Sequence, residues 1–194
     1  MNFATTQTYN FFDEPYKIVD WANSLEFGKD KGIQTWPGER SRIVSDIDNK
    51  FFNFVCAKQL RHFYNLDEMQ NISWKAAMQF QRIKPNDVMD KTGHIHRDIY
   101  SQLTTIVYLT PNCNESGTSI YKVNKPGHTE AKDTDGEYEE VAKFNSLFNS
   151  CIMFDGSRPH GANFDFEGER LTLITFFETI TAPRFPIPDS NKMI

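Results

Sequence analysis

"WKAAMQFQRI", residues 74–83, decides how the rest of the chain is read. Ahead of it, apolar residues recur at helical intervals. From here on they recur at every second position. Ala76, Met78 and Phe80 alternate with Ala77, Gln79 and Gln81, and residues two apart in a strand share a face. Four more runs of this kind follow: "QLTTIVYLT" (102–110), "GTSIYKV" (117–123), "SLFNSCIMFD" (146–155) and "RLTLITFFETI" (170–180). Turns separate them and no helical pattern intervenes, which predicts antiparallel strands packed as a sandwich or barrel. The polar, acidic stretch "NKPGHTEAKDTDGEYEE" (124–140) reads as a mobile loop between two of them.

Upstream, "FFDEPYKIVDWANSLEF" (11–27) predicts a helix. Asp13 is placed to cap it, Pro15 sits in its first turn, and Ile18, Ala22 and Leu25 follow helical spacing. "TWPGERSR" (35–42) reads as a loop around Pro37 and Gly38. A second helix is predicted from about Asp48 to Tyr64, with Phe52, Val55, Cys56, Leu60 and Phe63 on one face and Ser45 or Asp46 as its cap. The tail "APRFPIPDSNKMI" (182–194), with three prolines, is expected to run extended over the surface. These pieces predict a mainly β chain with flanking N-terminal helices. They are read as one domain: a helical support region over 1–70, a strand-rich core over 71–182 and a tail over 183–194.

Composition narrows the function classes. A net charge of −5 argues against a partner that is a bulk polyanion, so no nucleic acid is expected. No apolar run approaches the ~18 residues a membrane span needs, and the N-terminal stretch lacks the pattern of a signal peptide. Cys56, Cys113 and Cys151 are odd in number and widely spaced, which predicts free thiols in a reducing, cytoplasmic setting.

The densest chemistry lies in "GHIHRDIYSQ" (93–102), which packs His94, His96 and Asp98 into five positions. On a strand, His96 and Asp98 point to one side and Arg97 to the other. Further on, "FDGSRPHGANF" (154–164) puts His160 in a turn after an apolar strand. Two imidazoles and one carboxylate on three corners of an octahedron make the facial triad of non-heme iron(II) oxygenases, with open positions for a chelating cosubstrate and O2. A shifted register would use His94 and His96 instead. Arg170 opens an otherwise apolar strand, in which no acid follows until Glu178. A buried guanidinium there needs an anionic partner.

In order, these segments resemble the iron(II)- and 2-oxoglutarate-dependent oxygenases, in particular their prolyl-hydroxylase-like branch. "IHRD" resembles the first metal motif, "TTIVYLTP" the strand after it, "SGTSIY" the glycine-rich turn (with Ser116 where a second glycine is common), "MFDGSRPHGA" the distal-histidine segment and "ERLTLITFF" the last core strand. The front part, with "WPGERS", resembles pieces seen in phage and marine bacterial members. The resemblance implies a double-stranded β-helix, or jelly roll. It implies Fe(II) held by His96, Asp98 and His160, and 2-oxoglutarate as cosubstrate bound by Arg170 with help from Tyr108 and Thr172. It further implies a dioxygenase that uses O2 to couple 2-oxoglutarate decarboxylation to hydroxylation. The substrate would be a small molecule or a peptide or protein, with peptidyl proline or another amino-acid side chain favoured. A phage-encoded member would act in the host cytoplasm. His94 is then expected behind the ligands or in the pocket lining, and either Gln79 or Gln81 points inward. Two other readings stay open: a non-catalytic jelly-roll binding module, and a cupin-like metal enzyme using His94, His96 and His160 without 2-oxoglutarate.

Overall fold

The computed structural model describes residues 3–29, 38–84, 95–111, 113, 116–125, 136–163 and 168–187. The front part contributes β1 (Thr6–Thr8), α1 (Pro15–Asn23), β2 (Phe27–Gly28), β3 (Glu39–Ser41), α2 (Val44–Ile47), α3 (Asn49–Leu60) and α4 (Leu66–Met69). The strand-rich part follows as β4 (Ser73–Ile83), β5 (Leu103–Tyr108), β6 (Gly117–Lys125), β7 (Glu137–Asn145), β8 (Cys151–Phe154), β9 (His160–Ala162) and β10 (Arg170–Thr181). Seven strands form one sheet in the order β1-β8-β5-β10-β4-β3-β2, and three form a second in the order β7-β6-β9. Every strand pairing among the described residues is antiparallel. The alternating runs predict antiparallel strands, and the two facing antiparallel sheets make the double-stranded β-helix that the resemblance implies.

Period-two alternation divides the larger sheet between two duties. Leu171, Leu173 and Phe177 of β10, Leu103 and Val107 of β5, and Met78 and Phe80 of β4 face the helices, against Val55, Cys56 and Leu60 of α3. The opposite face carries Ile106, Tyr108, Ile152, Phe154 and Ile174, packed with Ile120 of the smaller sheet. Burying such side chains contributes roughly 1.5–3 kcal/mol each. Gln59 of α3 is the polar exception on the helix side. It is fully buried and its amide donates to the hydroxyls of Thr105 at 2.6 Å and Thr175 at 3.2 Å. The helix is thereby fixed to the backs of β5 and β10.

Several local expectations are corrected. Helix α1 starts at Pro15 after Glu14, with no side-chain cap, so Asp13 does not cap it. Helix α3 is capped by Asp48, whose carboxylate accepts from the Phe51 N–H at 2.9 Å; the turn of α2 takes up Ser45 and Asp46. The 35–42 loop contains a strand, β3, that pairs with β4. Of the loop read over 124–140, residues 124–125 belong to β6 and 137–140 to β7, while 126–135 lie outside the described residues. The segment holding His96 and Asp98 is no regular strand: His96 makes a single bridge with His160, and Asp98 leads into a turn. His94 lies outside the described residues. All three cysteines are free and buried. No helix among the described residues is long and apolar enough to cross a membrane.

Candidate active site

Two backbone relationships bring the chemistry together. His96 and His160 exchange N–H···O hydrogen bonds, each 2.9 Å, which sets their side chains next to each other. Their ring centroids are 4.3 Å apart. The Asp98 N–H donates to the Gly156 carbonyl at 2.9 Å, and the Ser101 N–H to the Asp98 carbonyl at 2.8 Å. The turn carrying Asp98 is thus held against the turn that precedes His160. A Cβ at Gly156 would overlap the Ser101 carbonyl oxygen, so this close approach requires glycine.

The resulting cluster offers one ligand atom each from His96, Asp98 and His160, all within 4.8 Å of one another. His160 Nε2 lies 3.3 Å from Asp98 Oδ2, and His96 Nε2 lies 3.7 Å from Asp98 Oδ1. Neighbours aim these groups. His160 Nδ1–H donates to the Arg158 carbonyl oxygen at 2.8 Å, which leaves Nε2 toward the cluster. The Thr104 hydroxyl donates to Asp98 Oδ2 at 2.7 Å. Burial alone would raise the Asp98 pKa, but His160, His96 and the Thr104 hydrogen bond more than offset it and bring the carboxyl to about 2. For His160, burial favours the neutral ring, yet Asp98 and the Arg158 carbonyl outweigh it and raise the pKa. The donor set, two nitrogens and a carboxylate, suits a divalent first-row metal such as iron(II).

The cluster lies in the wall of a cavity between the sheets, lined also by Gln81, Ile83, Thr104, Ile106, Thr118, Ala162, Arg170, Ile174 and Phe176. Arg170 is 3 % exposed, and its Nε and Nη1 have no hydrogen-bond partner among the described residues. Burial lowers its pKa, against the raising effects of Tyr108 and Cys113. A buried guanidinium with orphaned donors fits an anionic ligand group entering the cavity. Its guanidinium carbon lies 5.3 Å from the centroid of the Tyr108 ring. The Tyr108 hydroxyl donates to Thr118 Oγ1 at 2.9 Å. Thr172 is buried in register with Gln81 and Tyr108, and its hydroxyl lies 3.5 Å from the Gln81 carbonyl oxygen. Of the two glutamines, Gln81 lines the cavity, while Gln79 donates to the Ser41 carbonyl at 2.8 Å.

Sequence reading passed over Thr104, Thr118, Gly156 and Phe176. The alternation in "TTIVY" already puts Thr104 on the face of Ile106 and Tyr108, and that in "RLTLITF" puts Phe176 on the face of Arg170. The Gly156 signal was the "DGS" turn; nothing in the sequence said what it packs on. Gly117, in the glycine-rich turn, is needed because a Cβ there would overlap the Phe144 carbonyl oxygen. Ser116 beside it is buried, with its Oγ 3.1 Å from both Cys113 Sγ and Ser146 Oγ.

Comparison with solved structures gives the same fold. A prolyl-4-hydroxylase from Pseudomonas putida aligns with a TM-score of 0.51 and 13% identity, over 89% of this chain and 91% of that one. HygX from Streptomyces hygroscopicus, solved with nickel and 2-oxoglutarate bound, aligns at 0.56 and 12% over 91% and 83%. A 2OG-Fe(II) oxygenase family oxidoreductase from Burkholderia pseudomallei aligns at 0.56 and 11% over 89% and 83%. At such identities the likeness establishes the fold. A search of the curated proteins gave no match. Residues 7–146 match the family described as "Family of unknown function (DUF6445)", and the chain belongs to that family.

Proposed function

We propose that this chain is an iron(II)- and 2-oxoglutarate-dependent dioxygenase, acting as a hydroxylase. The observation that carries the reading is one cavity with two complementary ends. His96, Asp98 and His160 converge at one end, and at the other Arg170 is buried with orphaned donors. 2-Oxoglutarate has two matching ends, a metal-chelating oxo-acid and a distal carboxylate. Bound iron(II) would supply O2 activation coupled to decarboxylation of 2-oxoglutarate to succinate.

The chain's own residues would do the rest. His96, Asp98 and His160 hold the metal, with Thr104 and the Arg158 carbonyl fixing the directions of Asp98 and His160. Arg170 pairs with the distal carboxylate through charge-assisted bonds. Tyr108 and Thr118 flank it, and Thr172 buttresses the strand beside it. Ile106, Ile174 and Phe176 keep water from the reacting region. The substrate class we favour is an amino-acid side chain, peptidyl proline among the choices, in a single cytoplasmic domain.

The test is an anaerobic titration of Fe(II)-loaded protein with 2-oxoglutarate. A metal-to-ligand charge-transfer band that saturates with 2-oxoglutarate is expected. Iron binding without any such band would reject the reading in favour of a metal protein that uses no 2-oxoglutarate.

A further inference from the structure

The Arg170 end of the cavity is where the chain leaves the larger sheet for the smaller one. Strand β5 ends at Tyr108, in register with Thr172 of β10. Just beyond it the Leu109 N–H donates to the Leu171 carbonyl at 3.0 Å. Thr110 then brackets Arg170: its hydroxyl oxygen accepts from the Leu171 N–H at 2.7 Å and donates to the Glu169 carbonyl at 3.3 Å. The smaller sheet begins at Gly117, beside which the Ser146 N–H donates to the Ser116 carbonyl at 2.8 Å. Cys113 sits in this crossing, free and buried. Its Sγ lies 3.1 Å from the Ser116 hydroxyl oxygen, and its carbonyl accepts from the Ser146 hydroxyl. The Ser146 proton is spent on that carbonyl, which leaves the Ser116 proton for the sulfur.

Two features set this thiol apart. Tyr108 and Cys113 are the groups whose charge would raise the Arg170 pKa against burial, so the sulfur lies within electrostatic reach of the guanidinium. That guanidinium is an incomplete ion pair, since its Nε and Nη1 have no partner among the described residues. The other thiols, Cys56 and Cys151, belong to the apolar core on the helix side. Burial pushes both of their pKa values up, that of Cys56 to about 12, which keeps them protonated and unreactive. A neutral thiol offers Arg170 no charge. Its oxidised form offers an oxygen and, once ionised, a full negative charge, with the Ser116 hydroxyl as a second donor beside it.

Resting on the oxygenase reading, we propose that Cys113 is a peroxide-modified site that controls the cosubstrate end of the cavity: its sulfenate pairs with Arg170 in place of the distal carboxylate of 2-oxoglutarate. The sulfur attacks one oxygen of hydrogen peroxide. The S–O bond forms as the O–O bond breaks, the sulfur is oxidised to a sulfenic acid, and the other oxygen leaves as water. A dithiol reverses the step: it reduces the sulfenic acid to the Cys113 thiol, is itself oxidised to a disulfide, and the oxygen leaves as water. The metal cluster at the other end of the cavity keeps its three ligands throughout.

The test treats the metal-free full chain with hydrogen peroxide, removes the peroxide with catalase, loads Fe(II) without air and titrates 2-oxoglutarate against the charge-transfer band. Affinity for 2-oxoglutarate should fall about tenfold or more, the size of one charge-assisted contact, while Mn(II) affinity stays as it was. Dithiothreitol, applied and removed before loading, should restore it, which sets Cys113 apart from methionine oxidation. A treated sample unfolded in dimedone, which traps sulfenic acids, should carry the label on Cys113 by peptide mass mapping. Cys113→Ser should not respond to peroxide, and Cys113→Asp should bind 2-oxoglutarate weakly without any. Unchanged affinity in treated parent protein, a label absent from Cys113, or an equal loss in Cys113→Ser would each overturn the proposal. The parent measurements decide it even where a variant fails to fold. The untreated parent separates the two readings: a band that peroxide leaves alone removes the Cys113 site only, and no band removes the oxygenase reading itself.

Discussion

The hydroxyl of Thr104 donates to Oδ2 of Asp98 at 2.7 Å, so the carboxylate of the His96–Asp98–His160 cluster is held by the adjacent strand β5 and not by its own turn alone. Thr104→Val keeps the shape and removes the donor. We expect Mn(II) affinity to fall about 10- to 100-fold, the usual cost of losing such a supporting bond, with little change in the far-UV circular dichroism. Isothermal titration decides it. An unchanged affinity would mean that the turn positions Asp98 unaided.

Metal binding should weaken on acidification. Burial favours a neutral His160, but Asp98 beside it holds the proton more strongly and raises the pKa above its ordinary value. A metal must displace that proton. Affinity is therefore full above the raised His160 pKa and declines below it, by about tenfold per pH unit for one displaced proton. Asp98 adds nothing to this slope until far lower, since its own pKa is about 2. Mn(II) titrations from pH 8 to pH 5.5 (roughly the range in which histidine titrates) measure it; a flat profile would contradict this account.

Arg170→Met should move two quantities in opposite directions. Arg170 buries a guanidinium with two nitrogens that have no partner among the described residues, and replacing a poorly paired buried charge by an apolar side chain of similar volume is often stabilising. The melting temperature of the ligand-free variant should match or exceed that of the parent. Its 2-oxoglutarate affinity should fall about 10- to 100-fold, because charge-assisted bonds of roughly 1.5–3 kcal/mol are lost. Arg170→Lys should fall less, since the charge survives and the fork does not. A thermal scan with and without 2-oxoglutarate reads both. Destabilisation of the ligand-free variant with unchanged affinity would assign Arg170 to the fold.

Gly156→Ala tests the contact between the two turns. Its Cβ would overlap the Ser101 carbonyl oxygen and come within 3.0 Å of the Asp98 carbonyl oxygen. The Asp98 turn must shift. We expect metal affinity to drop by at least tenfold, while overall stability falls by only about 1–3 kcal/mol. Differential scanning calorimetry beside metal titration separates the two effects.

Legibility in the sequence followed the local signal. Strands β4 and β10 stood out because one face of each is apolar over many residues. Strand β7 did not, because it is an edge strand of the smaller sheet. Its exposed Glu137, Glu139, Glu140 and Lys143 guard that edge against unwanted pairing, and such a charge density reads as loop. Strand β3 was hidden by the adjacent Pro37 and Gly38, since a turn signal says nothing of the neighbour the chain meets after it. Of the site, His96, Asp98, His160 and Arg170 were visible as odd residues in their settings. Thr104 and Gly156 were not, because each matters through a residue or turn that only folding brings near it. The cap of α3 was misplaced for a simpler reason: Ser45, Asp46 and Asp48 all suit the role, and the extra turn of α2 decides among them.

The paired hydrogen bonds between the backbones of His96 and His160 act as a clasp that needs no ion to close it. They tie the segment before β5 to the strand after β8, so the backbone has already met the cost of bringing two distant imidazoles together before any metal arrives. A chelator should therefore strip the protein without unravelling it, and reloading should be rapid and reversible. A metal held there would be a tenant of the fold and not its keystone.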